Sequence, residues 1–178
     1  MHPRTLELLE YIDAQRAVLR AAFDEVPEEA RNLPPATGQW SPVGIIEHLA
    51  IANGRIARMI TKTAAEARAA GLGPERSSDP ILPAIDIKFV VDRVTRVAAP
   101  AVLHPTGLDA NAAWAALERS TVAVRDAIAT ADGLALSEVS FPHPLLGPLT
   151  LYTWIAFVGA HEARHAVQIR ECWCQTRV

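Results

Sequence analysis

The chain has 178 residues, of which 50% are hydrophobic and 21% charged, with 17 basic and 20 acidic side chains for a net charge of −3. That balance excludes intrinsic disorder and fits a single domain, residues 1–178. With only 6% aromatic residues and no basic excess, it argues against a nucleic-acid or anionic-membrane partner, which needs cationic patches or stacking platforms.

The N-terminal segment from Met1 to Glu10 carries charge along its length and has no signal-peptide apolar region. A first helix is expected from about Arg4 to Val26. Leu6, Leu9, Ile12, Leu19, Phe23 and Val26 recur at helical spacing, and Pro27 stops it. A second follows Trp40-Ser41-Pro42, where Ser41 is a good N-cap and Pro42 suits the first helical position. Its face is Ile45, Leu49, Ala52, Ile56, Met59 and Thr63, and Gly71 closes it.

Between Gly71 and Asp109 lie Pro74, Pro80, Pro83, Pro100 and Pro105. A connection this long is unusual in a compact domain. A short helix near Ile85–Val97 is expected in it, and it has the length to cover an opening. A third helix starts after Asp109, an N-cap, with Trp114, Leu117, Thr121, Val124 and Ile128 inward, and stops at Asp132-Gly133.

No Lys, Arg, Asp or Glu occurs from Val139 to His161. Pro142, Pro144, Gly147 and Pro148 break the first half of this stretch, so it is too short to span ~30 Å of hydrocarbon. It reads as a loop followed by a buried fourth helix, from about Thr150 to about Cys172. Four amphipathic helices and no convincing strand predict an all-α fold. The architecture is a four-helix bundle with a long crossover connection between helices 2 and 3. Cys172 and Cys174 read as reduced thiols, in keeping with a cytoplasmic protein.

The fourth helix departs from pattern. Its seam is Leu151, Trp154, Val158, His161, His165, Gln168, Cys172. The period that buries the apolar half also aims His161, His165 and Gln168 inward. Buried polar groups without partners are costly. Two histidines four apart are ~40° and ~6 Å from each other on a helix, so both imidazoles can reach one ion.

A third ligand must come from elsewhere. His48 stands among the inward residues of helix 2, while His2 is terminal and His104 and His143 precede prolines in loops. His48, His161 and His165 form a candidate metal set with open coordination positions, as in catalytic rather than structural sites. A lone inward histidine is more often hydrogen-bonded core. The pair on one seam, joined by a third on another helix, shifts the reading to metal. Only neutral imidazole ligates, so affinity should drop as pH falls through roughly 6.5. Trp114 and Trp154 read as core packing, and Glu10, Arg55 and Arg58 as solvated positions.

His161-Glu162-Ala163-Arg164-His165 is also literally H-E-x-x-H, the zinc metallopeptidase pattern. The extended form of that motif does not fit, because Gln168 and Glu171 stand where it needs Gly and His. No source of a peptide-binding edge strand is evident. Glu162 is kept as an acid/base or supporting group, and Gln168 as a hydrogen-bond partner of a ligand histidine or a cap on a buried polar cluster.

Three blocks together resemble a known family. They are Trp40-Ser41-Pro42 running to Glu47-His48-Leu49, the segment from Pro144 to Thr150 around Gly147, and His161-x-x-x-His165-x-x-Gln168-Ile169. The chain resembles the DinB-like (YfiT-like) superfamily of proposed metalloenzymes. The resemblance implies a four-helix bundle with a long connection between helices 2 and 3. It implies a divalent metal, zinc or nickel foremost, held at His48, His161 and His165. Similar proteins include S-transferases and isomerases that use a low-molecular-weight thiol. Two readings stay open. In one, the protein is a metal-dependent thiol S-transferase or hydrolase with a small-molecule substrate. In the other, it is a non-catalytic metal-binding, ligand-binding or interaction bundle. A homodimer stays open under both.

Overall fold

The computed structural model describes residues 1–94 and 98–176, the last by its backbone. Four long helices dominate: α1 (Pro3–Asp24), α2 (Pro42–Ala69), α4 (Ala110–Ala131) and α5 (Leu151–Thr176). A single turn, α3 (Lys88–Val91), lies in the connection. The fold is the expected four-helix bundle.

The ends of the helices follow the local chemistry. Gly44 N–H donates to the Ser41 hydroxyl at 3.1 Å, and Ala112 N–H to the Asp109 carboxylate at 2.9 Å. Each satisfies an amide that the first turn leaves orphaned. Gly71, at φ +89°, and Gly133, at φ +76°, take the left-handed conformation that ends α2 and α4.

Burial assembles two apolar clusters. One holds Leu8 and Ile12 of α1, Ile56 and Ile60 of α2, Val124 and Ile128 of α4, and Leu151 to Val158 of α5. The other holds Leu19 and Phe23, Val43 to Leu49, Trp114 and Leu117, and Ile169 and Cys172. The order within each helix gives its direction. α1 and α5 run one way; α2 and α4 run the other. Because α2 and α4 are parallel and pack extensively, the chain must return the length of α2 between them. For 28 residues that is about 40 Å, which is why the connection is long.

The connection is fastened as it returns. Glu7 of α1 accepts from the N–H of Ile81 at 2.7 Å and of Leu82 at 3.4 Å. Pro74 bridges Leu134, and α3 packs on α5. The short helix expected near Ile85–Val97 is present as the single turn α3, and residues 95–97 lie outside the described residues.

One expectation needs correction. The segment before α5, read as a loop, contains an antiparallel hairpin of β1 (Ser140–His143) and β2 (Gly147–Thr150). Pro142 and Pro148 face each other across it. Neither has an N–H, so they occupy a non-hydrogen-bonded pair, and the ladder is carried by its neighbours. Gly147, at φ +74°, makes the turn. The prolines that interrupt the apolar stretch fit a two-stranded ribbon with free edges. The following apolar run is helix α5, and no helix among the described residues is long and apolar enough to cross a membrane.

Candidate metal centre

α2 delivers His48, and α5 delivers His161 and His165 one turn apart. His48 and His165 are buried, at 3% and 6% exposure, and His161 is half-buried. One ring nitrogen from each lies within 4.8 Å of the others. His161 Nε2 is 3.0 Å from His165 Nε2 and 3.4 Å from His48 Nε2.

The proton inventory shows what this arrangement lacks. His48 Nδ1 is 2.8 Å from the Leu103 carbonyl oxygen. A carbonyl only accepts, so Nδ1 carries the proton and neutral His48 presents a bare Nε2 to the cluster. A proton on one of the remaining Nε2 atoms can satisfy one neighbour at a time, not three converging lone pairs. The Nδ1 atoms of His161 and His165 are buried without a hydrogen-bond partner among the described residues. Tetrahedral zinc with Zn–N bonds of ≈ 2.0–2.1 Å separates its ligand nitrogens by about 3.3 Å. The two Nε2 separations bracket that value, so the donor set fits such an ion.

The electrostatics point the same way. Burial, then the nearby His48, Arg164 and His143, pushes His161 down to about 3. Burial, followed by His161 and His48, holds His165 well below the usual histidine range, with Gln168 acting in the opposite direction. Burial lowers His48 as well, partly offset by its bond to Leu103. All three rings are therefore neutral at pH 7, the form that ligates.

Aromatic rings wall the cluster. Trp40 lies over His48 with ring centroids 4.6 Å apart, and Phe157 lies 5.3 Å from His161. Behind Phe157 stand Trp154 and the hairpin's His143, at 5.5 and 5.3 Å. Trp154 donates its Nε1–H to the Phe141 carbonyl at 2.9 Å, tying the hairpin to α5. His104 sits edge-on to Trp40 at 5.6 Å. The sequence had set His104 and His143 aside as loop residues; the structure brings both to the rim. The Leu103 carbonyl went unseen because a backbone oxygen has no sequence signature. Trp40, eight residues before His48, was visible only as part of a block.

Glu162 and Gln168 have different surroundings. Gln168 is beside His165, and its Oε1 accepts from Arg93 at 3.4 Å. Glu162 is fully buried, and its carboxylate is gripped by Arg16 of α1 and by Asn53 Nδ2 of α2 at 3.0 Å. Arg16 also donates to Thr121 of α4 at 2.6 Å. The structure thus brings the three histidines together and gives Glu162 to a network spanning all four long helices. Cys172 is buried, Cys174 is exposed, and both are free.

Comparison with known proteins bears on the family and the fold. The sequence pattern of the DinB superfamily matches residues 11–169. The uncharacterized protein YuaE of Bacillus subtilis (strain 168) is 28% identical over 151 residues, covering 81% of this chain and 83% of YuaE. Among solved structures, TT2238, a four-helix bundle protein, superposes with a TM-score of 0.63 at 21% identity. That match covers 94% of this chain and 98% of TT2238, and it bears on the fold alone.

Proposed function

The chain belongs to the DinB superfamily, and from that footing we propose that it is a metal-dependent enzyme acting on a small molecule. His48, His161 and His165 would hold a divalent ion, zinc or nickel. A bound ion of this kind supplies a Lewis acid that makes a coordinated water or low-molecular-weight thiol acidic, suiting hydrolysis or thiol S-transfer. The chain's own groups supply the rest. The Leu103 carbonyl holds His48 in the ligating tautomer. Trp40 and Phe157 keep the buried side of the cluster dry. Half-buried His161 is the least covered of the three, and on this reading a substrate would approach from its side. Gln168 lies beside His165.

The observation that carries this reading is the convergence of three neutral imidazoles through their Nε2 atoms, that of His48 bare. The test is metal content after purification without chelators, followed by turnover of a small electrophile with and without added thiol. Stoichiometric metal and metal-dependent turnover are expected. A protein that neither holds nor takes up zinc or nickel overturns the reading.

A second reading is a non-catalytic metal-binding or interaction bundle. The engagement of Glu162 by Arg16 and Asn53 favours it, since the carboxylate next to His161 is thereby withheld from acid–base work. Metal binding without turnover is its expected signature. Under both readings the protein is placed in the cytoplasm, without a nucleic-acid or membrane partner, and a second copy of the chain is the oligomeric partner to test by light scattering.

A further inference from the structure

Glu47 directly precedes the ligand His48 and is 3% exposed. One of its carboxylate oxygens accepts from Thr106 N–H at 2.7 Å and the Thr106 hydroxyl at 2.6 Å. The other accepts from the N–H groups of Gly107 at 3.0 Å and Leu108 at 3.1 Å. Just upstream in the same segment is Leu103, whose carbonyl receives the His48 Nδ1 proton. Two consecutive side chains of α2 therefore grip one short stretch of the connection, one as acceptor and one as donor. The stretch is seated closely. A Cβ on Gly44 would stand 3.4 Å from Pro105 Cγ, and His104 meets Trp40 edge-on.

We infer that Glu47 is a positioning residue for the metal centre: by holding residues 106–108 it fixes the Leu103 carbonyl, and through it the tautomer and ring orientation of His48. The bond pattern demands an anion. All four donors converge on two acceptor oxygens, so the amide of a Glu47→Gln variant would set its NH₂ against N–H donors, losing bonds and adding repulsion. A carboxylate that only fastened the connection could act anywhere along it. Glu7 does so at residues 81 and 82, and it supplies the control.

The inference rests on the metal reading for one arm of its test only. The first measurement is the ¹⁵N correlation spectrum of the His48 ring in metal-free protein. The second is zinc affinity by competition with a chromophoric chelator. Wild type should show the single Nδ1–H tautomer. Glu47→Gln should show a mixture of tautomers and bind zinc about 10–100-fold more weakly, the range for loss of a group that orients a ligand. Glu7→Gln should melt earlier yet keep wild-type affinity and tautomer. Thr106→Val, which removes one of the four bonds, should shift both readouts the same way by less, and it stands in if Glu47→Gln does not fold. Wild-type tautomer and affinity in the Glu47 variant, or in its Thr106 stand-in, overturn the inference; so does an equal loss in Glu7→Gln. If wild type takes no zinc, the proposed function falls while the tautomer comparison still decides this point.

Discussion

His161 and Glu162 are neighbours on α5, and each anchors a buried polar group of opposite character. Around Glu162 every strong charge finds a partner within the protein: Arg16, Asn53 and Thr121 close the network, one residue from each other long helix. Around His161 three nitrogens face one another with too few protons, and two Nδ1 atoms are left over. Both sets are buried, so both had to overcome desolvation. In the Glu162 network only Asn53 Oδ1 lacks a partner among the described residues, and the ion pair at its centre specifies how four helices register. The proposed ion would complete the histidine set. Opposite hydrogen-bond accounting thus distinguishes a structural polar cluster from a candidate ligand site on successive residues of one helix.

That contrast can be broken at its structural side first. Arg16→Met would strand the fully buried Glu162 carboxylate and should cost about 3–5 kcal/mol, read as a large drop in thermal midpoint. Metal affinity of the fraction that remains folded should be unchanged. Trp154→Ala should cost about 3–5 kcal/mol as well, because Trp154 packs against Phe141, His143 and Phe157. If either variant melts like wild type, the stabilising role given to that residue is wrong.

At the ligand side the balance should reverse. His48→Ala should abolish stoichiometric metal binding while the metal-free protein loses only about 1–3 kcal/mol, chiefly from the Leu103 carbonyl left unpaired. Parallel melting curves and metal analysis check this, and full occupancy in His48→Ala would remove His48 from the site.

A smaller effect sharpens the comparison by pH. In the unfolded chain a histidine titrates near 6.5, whereas folded His161 titrates at about 3. Below pH 6.5 the unfolded chain therefore binds protons that the folded metal-free protein refuses. Stability from this source is full above 6.5 and drains away as pH falls toward 3. Melting midpoints of chelator-treated protein at pH 7.5 and 5.5 should show the loss, and His161→Phe should lose less; equal losses count against neutral burial. The same shift carries proton competition for the metal below the 6.5 that the sequence alone suggested. Smallest of all, Arg170→Gln removes an exposed pair with Glu25 and should leave the melting midpoint nearly unchanged.

What the sequence disclosed was whatever depends on local period. Ser41, Pro42 and Asp109 marked helix starts because capping is a matter of a few adjacent residues. The seam from Leu151 to Cys172 aimed His161 and His165 inward because a helix repeats itself. His48 followed by the same rule. What it hid depends on partners far away in the chain. Glu162 sits in a motif that suggests acid–base chemistry, and only the position of Arg16, 146 residues distant, shows the carboxylate to be engaged. Glu47 gave no signal, since its donors are mostly backbone N–H groups of a proline-rich connection. The hairpin was concealed by the same prolines that define its unpaired rows.

The separation of the ligands along the chain bears on rates. His48 and His161 are 113 residues apart, and His48 meets Leu103 across 55. Closing contacts of such span is slow, and they are poor nuclei for folding. An ion held by them would join a bundle whose local helices have already formed. Its stabilisation should then appear as slower unfolding, with the refolding rate nearly unchanged. Denaturant-jump kinetics with and without zinc would show one arm of the chevron move and the other stay.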